Sequence, residues 1–347
     1  MAELLAQHTT LRLGGPARAW VEARSEAELV DAVTAGDSAG EPLLLLAGGS
    51  NVVVADDGFD GTVVRIATRG IRADVDGDDE REATCGGVLV TVAAGESWDG
   101  LVTHAVQRGW AGIEALAGIP GSVGATPIQN VGAYGQEVAQ TVASVRVWDR
   151  RLSGVRTFAN AECDFGYRSS RFKADPGRQV VLDVTFQLRP GSLGAPVAYA
   201  ELARTLGVAI GARAPLGDVR DAVLALRRGK GMVLDEADHD TWSAGSFFTN
   251  PVLAPEAAAA LPPGAPRWEQ NGAVKTSAAW LIQHAGFDTG YGNARVSLST
   301  KHPLALTNRG EGTTSDLLAL AREVRDGVER VTGIRLEPEP VIVGADL

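Results

Sequence analysis

The sequence predicts an α+β fold built from more than one structural unit, and three observations lead there. Strand and helix signals alternate along the 347 residues, which calls for mixed layers of sheet and helix. A glycine-rich stretch from Gly112 to Gly135 shows no periodicity of its own, and a loop of that length in a packed protein is usually functional. Breakpoints fall at Arg189-Pro190-Gly191 and between Gly211 and Pro215, in a chain long enough for two or three units.

Taken in order, Ser25-Glu26-Ala27-Glu28 reads as a capping box that opens a helix, with Leu29, Val30 and Val33 on its apolar side and Gly36 as the expected stop. Leu43 to Leu46 is a short buried strand that runs into Gly48-Gly49-Ser50-Asn51. Val52 to Val54 and Thr62 to Ile66 are further strands around a turn at Asp56-Asp57-Gly58. Trp98 to Arg108 is a helix stopped by Gly109. The glycine-rich loop follows, then strands at Val142 to Trp148 and Val180 to Leu188. Beyond the breakpoints, Val219 to Arg228 and Thr276 to His284 read as helices. Ser315 to Val331 places Leu317, Ala321, Val324, Val328 and Val331 on one helical face. Ile334 to Val343 is a strand interrupted by Glu337-Pro338-Glu339-Pro340.

Composition narrows the function. Hydrophobic residues make up 45% and charged residues 22%, a globular balance, and the net charge is −11 with no block of Lys and Arg. Nucleic acid and anionic membrane are poor partners for such a surface, although an acidic protein can still hold an anion in a locally basic pocket. The start of the chain carries no signal-peptide pattern, and no apolar run is long enough to span a bilayer. The two cysteines, Cys85 and Cys163, do not make a disulfide framework. They read as packing residues of a reduced, cytoplasmic protein.

Two loops carry the chemistry. Gly48-Gly49-Ser50-Asn51 follows a strand directly, and on the residues alone two readings stand: a hairpin turn, or a cradle in which backbone N–H groups converge on an anion with help from Ser50 and Asn51. It is neither a GxGxxG nor a GxxxxGK[ST] motif, so it supports no Rossmann or P-loop assignment. The second loop contains Pro120, Gly121, Ser122, Gly124 and Ala125, then Gln129, Asn130, Gly132, Ala133 and Tyr134. Its small residues let a flat ligand lie against the backbone while Ser122, Gln129 and Asn130 offer polar handles. A glycine-rich lid is the alternative. Asp238-His239-Asp240 reads as a solvated acidic loop rather than a metal site.

Together the two loops resemble the flavin-binding part of the UDP-N-acetylenolpyruvoylglucosamine reductases, within the wider vanillyl-alcohol-oxidase type of FAD fold. The resemblance runs from about His8 to Val343. It also rests on His8-Thr9-Thr10-Leu11 with Gly14-Gly15, on Gly166-Tyr167-Arg168-Ser169-Ser170-Arg171-Phe172-Lys173, and on Ala244-Gly245-Ser246-Phe247-Phe248-Thr249-Asn250-Pro251. Val274-Lys275 with Ala278-Ala279-Trp280-Leu281-Ile282, and Leu336-Glu337-Pro338-Glu339, complete the set.

The resemblance implies a two-lobed FAD-binding domain, residues 1–67 and 68–210, and a C-terminal α/β substrate-binding domain, residues 211–347, whose last strand, 334–343, returns to the active site. It implies FAD held by the fourteen loop residues from Gly48 to Asn51 and from Pro120 to Tyr134 named above. The attachment is non-covalent, since neither loop contains a histidine. NADPH is implied as co-substrate, and the reduction of a UDP-N-acetylglucosamine enolpyruvate in peptidoglycan precursor synthesis as the reaction. Arg168 is implied as the substrate-activating arginine, Ser246 as the proton donor and Glu337 as a second acid whose pKa burial would raise. Tyr199 resembles a substrate-capping tyrosine of the family's long form. Lys230 resembles a lysine for a phosphate of the substrate or of NADPH, and Asn250 a contact to the uridine diphosphate. Two rivals differ in class or substrate: another flavin oxidase of the same fold, and a flavin-binding regulator without turnover.

Overall fold

The computed structural model describes residues 2–75 and 87–347; Cys85 lies outside them. The chain forms two compact units: Met1–Arg18, Gly49–Asp60 and Gly229–Leu347 in the first, Ala19–Gly48 and Gly61–Arg228 in the second. Neither is contiguous in sequence, so this grouping differs from the three consecutive segments expected from the sequence.

The second unit is built on an antiparallel sheet in the order Gly154–Ala159, Val142–Asp149, Gln179–Pro190, Val88–Ala93, Ile71–Val75. The registers Val145↔Val184 and Val184↔Val92 stack valines that are fully buried. Alternation along Val142–Asp149 puts Val145 and Val147 on the covered side, as a period of two requires. A smaller sheet joins Ala17–Ala23, Phe59–Ile66 and Leu43–Leu46, the last two in parallel with Leu44 opposite Val63. Leu29 and Val33 of the helix Glu26–Ala39 close one core with Val64, Val180 and Leu182.

That helix opens on the expected capping box: Glu28 N–H donates to Ser25 Oγ at 3.2 Å, and Ser25 N–H to Glu28 Oε2 at 3.3 Å. It does not stop at Gly36. Gly36 lies inside it, where an added Cβ would stand 2.5 Å from the Leu43 side chain, and the left-handed stop is Gly40 at φ +65°. The glycine is therefore a close-packing residue. The helix Trp98–Arg108 ends at Gly109 as expected, and Trp98 Nε1–H donates to Leu116 O at 3.0 Å.

The first unit has one large core, in which Leu317, Ala321, Val324 and Val328 of the helix Thr314–Thr332 meet Phe247, Phe248, Leu281 and Leu336. Asp56, from the predicted turn, accepts from Thr314 N–H at 2.7 Å and Ser315 N–H at 2.9 Å, so a carboxylate stands at the positive end of that helix. The long strand expected over 334–343 shrinks to Val341–Val343, which runs parallel to Val52–Val54. Pro338 makes only an isolated bridge with Phe248, because prolines at 338 and 340 cannot donate to a ladder. No helix among the described residues is long and apolar enough to cross a membrane.

Candidate active site

The first glycine loop is a point of backbone contact. A Cβ on Gly48 would stand 2.4 Å from Gly121 Cα, and one on Gly49, at φ +61°, would stand 1.8 Å from the His8 carbonyl oxygen. Only glycine allows either approach, and the first brings the two glycine loops together within the second unit. Thr10 N–H donates to Gly49 O at 3.0 Å, and Thr10 Oγ1–H to Ser243 O at 2.7 Å. The N–H groups of Gly49 and Ser50 donate to no backbone acceptor among the described residues.

The second loop is not wholly irregular. It holds single turns at Glu114–Leu116 and Val123–Ala125 and the start of a hairpin at Gly132–Ala133. It is sewn to its surroundings: Val123 N–H donates to Glu96 O, Gly124 N–H to Ala94 O, and Gly118 N–H to Asp99 Oδ1 at 2.6 Å. A Cβ on Gly124 would stand 2.5 Å from Ala94 Cβ. Ser122 is buried, and its Oγ has no hydrogen-bond partner. An unsatisfied buried hydroxyl beside the touching backbones of Gly48 and Gly121 is a donor suited to an anionic group such as the pyrophosphate of a dinucleotide. The residues present thus fit FAD.

Tyr134 and Gly135 form the hairpin tip with φ +49° and +85°, the two left-handed positions that a tight primed turn demands. A tyrosine there is strained by roughly 1–2 kcal/mol, so its ring must be worth holding. It meets Tyr199 edge-on, centroids 5.4 Å apart. Tyr199 is 45% exposed and precedes the helix Ala200–Leu206. Arg227 is buried, with burial pushing its pKa down while Tyr134 and Asp99 act in the opposite direction. The sequence reading gave it no role. Its signal was there: Arg227 continues the buried stripe Val219, Val223 at i+4 spacing, where an apolar residue is expected.

Arg168 sits at φ +92° in a turn closed by its own N–H donating to Gly166 O at 2.6 Å. Its Nη1–H donates to Asn130 O at 3.2 Å and its Nη2–H to Gly132 O at 2.8 Å. Lys173 Nζ–H donates to Arg168 O, and Ser170 Oγ–H to Ile128 O. The Tyr-Arg-Ser motif and the second loop therefore form one hydrogen-bonded piece. Glu114, also missed, has a buried carboxylate that accepts from Gly112 N–H and Ala195 N–H, both at 2.6 Å, and from Gln136 Nε2–H at 2.9 Å. It ties the loop to the segment leading to Tyr199.

In the first unit, Ser246 and Glu337 lie on two backbone-paired segments. Phe247 N–H donates to Leu304 O, Thr249 N–H to Glu337 O and Glu339 N–H to Phe247 O. Asn51 Nδ2–H donates to Glu339 O at 3.3 Å, so the first glycine loop is fastened to the same segment. Ser246 is half-buried, whereas Glu337 is exposed, so the burial expected around Glu337 is not found. Asn250 uses its Oδ1 to accept from Ala278 N–H at the start of the helix Ala278–His284, and Lys230 is half-buried just past the helix Leu216–Gly229.

Two further details correct or complete the sequence reading. Asp240 is not solvated: it is 4% exposed, pairs with Arg309 at 2.7 Å and accepts from Thr300 N–H. Burial opposes ionisation there, but the bonds from Thr300 and Arg309 outweigh it and hold the carboxyl below its usual range. Cys163 is buried, and desolvation pushes its thiol up to about 11, which suits a packing residue.

An FAD-binding domain model matches residues 17–154, and the chain is an FAD-dependent oxidoreductase with a vanillyl-alcohol-oxidase-type flavin domain. The C-terminal domain model of UDP-N-acetylenolpyruvoylglucosamine reductase matches residues 236–343. The chain is 57% identical to the enzyme of that name from Cutibacterium acnes, over 99% of this chain and 90% of that one, and 55% identical to that of Streptomyces coelicolor over the same shares. The crystal structure of the Thermus caldophilus enzyme matches with a TM-score of 0.66 at 25% identity, covering 99% of this chain and 98% of that one. The chain belongs to the UDP-N-acetylenolpyruvoylglucosamine reductase family.

Proposed function

We propose that this protein reduces UDP-N-acetylglucosamine enolpyruvate to UDP-N-acetylmuramate with electrons from NADPH, as a cytoplasmic step of peptidoglycan precursor synthesis. Family membership over nearly the whole chain carries this reading. In it, residues 1–67 and 68–210 act as flavin lobes and residues 211–347 as the substrate domain. When bound, FAD supplies hydride exchange between NADPH and the outer carbon of the enolpyruvyl double bond. Ser50, Asn51, Ser122 and Gln129 hold its polar groups, and the glycines of both loops let it approach the backbone.

The remaining work falls to side chains. Negative charge develops toward the pyruvyl carboxylate as hydride arrives, and the planar guanidinium of Arg168 opposes it. Ser246 Oγ–H delivers the proton to the inner carbon. Glu337 serves as the second acid, and bound substrate itself provides the water exclusion that its exposed position lacks. Tyr199 covers the substrate, while Lys230 and Asn250 meet its diphosphate and uridine.

The test is a stoichiometric reoxidation. NADPH-reduced enzyme, held without oxygen, should regain its oxidised flavin absorbance on addition of one equivalent of the enolpyruvyl nucleotide. A flavin that stays reduced rejects this substrate. Acid precipitation should also leave the yellow colour in the supernatant, as non-covalent attachment requires.

A further inference from the structure

The side chain of Asn130 spends both donor hydrogens and an oxygen lone pair on protein groups. Its Nδ2–H groups donate to Glu137 Oε2 at 2.8 Å and to Gly166 O at 3.0 Å, and its Oδ1 accepts from Ala139 N–H at 3.1 Å. An amide side chain has two donor hydrogens and one carbonyl, so this set leaves neither hydrogen for a ligand. The residue is 1% exposed and sits at φ +43°, a left-handed position that asparagine tolerates better than most. Its main-chain oxygen, in turn, accepts from Arg168 Nη1–H.

We infer that Asn130 is the positioning residue of Arg168 rather than a flavin ligand. It fixes the arginine from both ends. Its side chain holds Gly166 O, the other end of the turn that forces Arg168 to φ +92°, and its main chain holds the guanidinium. Glu137 anchors the amide and closes over Gly132, where an added Cβ would lie 2.8 Å from Glu137 Cγ and 3.3 Å from Arg168 Nη1. The guanidinium is thereby aimed before substrate arrives, and its position costs no reorganisation during reaction.

This inference rests on the reading of Arg168 as the group that opposes developing charge, and a double-variant cycle separates the two. Asn130→Gly keeps the left-handed backbone and removes only the clamp. It should retain FAD, measured by flavin absorbance per protein, and be reduced by NADPH at a near-normal rate. Its reoxidation by the enolpyruvyl nucleotide should slow by roughly 10–10²-fold, the scale of a misplaced catalytic group. On an Arg168→Lys background the same change should cost no more than about twofold, because the two residues act through one interaction. Asn130→Asp keeps the turn preference and the acceptor for Ala139 but loses the donors. It should show the same selective loss, and it carries the test if the glycine variant folds poorly. Loss of FAD, an equal slowing of flavin reduction, or losses that multiply in the double variant would each overturn the role of Asn130. If Arg168→Lys alone leaves reoxidation untouched, the reading of Arg168 fails instead.

Discussion

The turn that carries Arg168 and the segment that carries Ser246 are fixed by different means. Around Arg168, side chains and main chain are bonded to each other: Asn130 to Gly166, Arg168 to Gly132, Ser170 to Ile128, Lys173 to Arg168. Around Ser246 and Glu337 the bonds are mainly backbone to backbone, from Phe247 to Leu304 and from Thr249 and Glu339 across the paired segment, with side-chain ties from Asn51 and Thr249 to main-chain oxygens. In the first case the Arg168 side chain is itself part of the scaffold. In the second the scaffold is complete without the working side chain, which is displayed. A group that must present fixed charge gains from the first arrangement, whereas a group that gives up a proton needs its bonds left for the reacting partner.

If that contrast holds, changes at displayed residues should appear in rates alone, and changes at bonded ones in stability as well. The largest expected effect is Ser246→Ala. It should fold, bind FAD and be reduced by NADPH as the parent is, yet reoxidise with the enolpyruvyl nucleotide more slowly by roughly 10²–10⁴-fold. Stopped-flow measurement of the two half-reactions decides it, and equal slowing of both would mean that Ser246 shapes the nicotinamide site.

Glu114→Gln probes the bonded side. The glutamine NH₂ would oppose one of the backbone N–H groups of Gly112 or Ala195 in a buried site, so the fold should lose about 1–3 kcal/mol. A lowered unfolding temperature with near-parental flavin reduction is the expected pair of results. An unchanged melt would show that the carboxylate is not what fastens the loop.

Asp240, like Asp56, is a bonded side chain within the first unit, and it adds a pH arm. Its carboxyl titrates below the usual range in the folded state, so its stabilisation is full above the unfolded-state value and is lost as pH falls through the lower folded one. Asp240→Asn should reduce stability at neutral pH and flatten part of the acid side of the profile. Urea melts from neutral pH down into the carboxylate range measure both. An acid limb as steep as the parent's would place the linkage at other carboxylates.

Tyr199 is the displayed exception within the second unit and should give the smallest effect. Tyr199→Phe keeps the edge-on contact with Tyr134 and removes one exposed hydroxyl. The Michaelis constant for the nucleotide should rise by a few-fold, about 1 kcal/mol for one lost hydrogen bond, with flavin reduction by NADPH unchanged. An unaltered constant would make Tyr199 a packing partner of Tyr134 alone.

The sequence by itself determined what local chemistry can write. The Ser25 capping box, the Gly109 stop and the turn at Asp56-Asp57-Gly58 appear where the residues put them, because each depends on neighbours only a few positions away. The ordered motifs likewise marked the family without any coordinates. What tertiary structure decided are the matters of partner and exposure. Gly36 reads as a stop until Leu43 is seen against it, and Asp240 reads as solvated until Arg309 and Thr300 are found on it. Glu337 carries the same letters whether buried or exposed, and only the structure leaves it open to water. Asn130 and Glu114 follow the same rule. Their roles lie in contacts to Gly166 and Ala195, 36 and 81 residues away, and a side chain's environment is fixed by the elements folded around it.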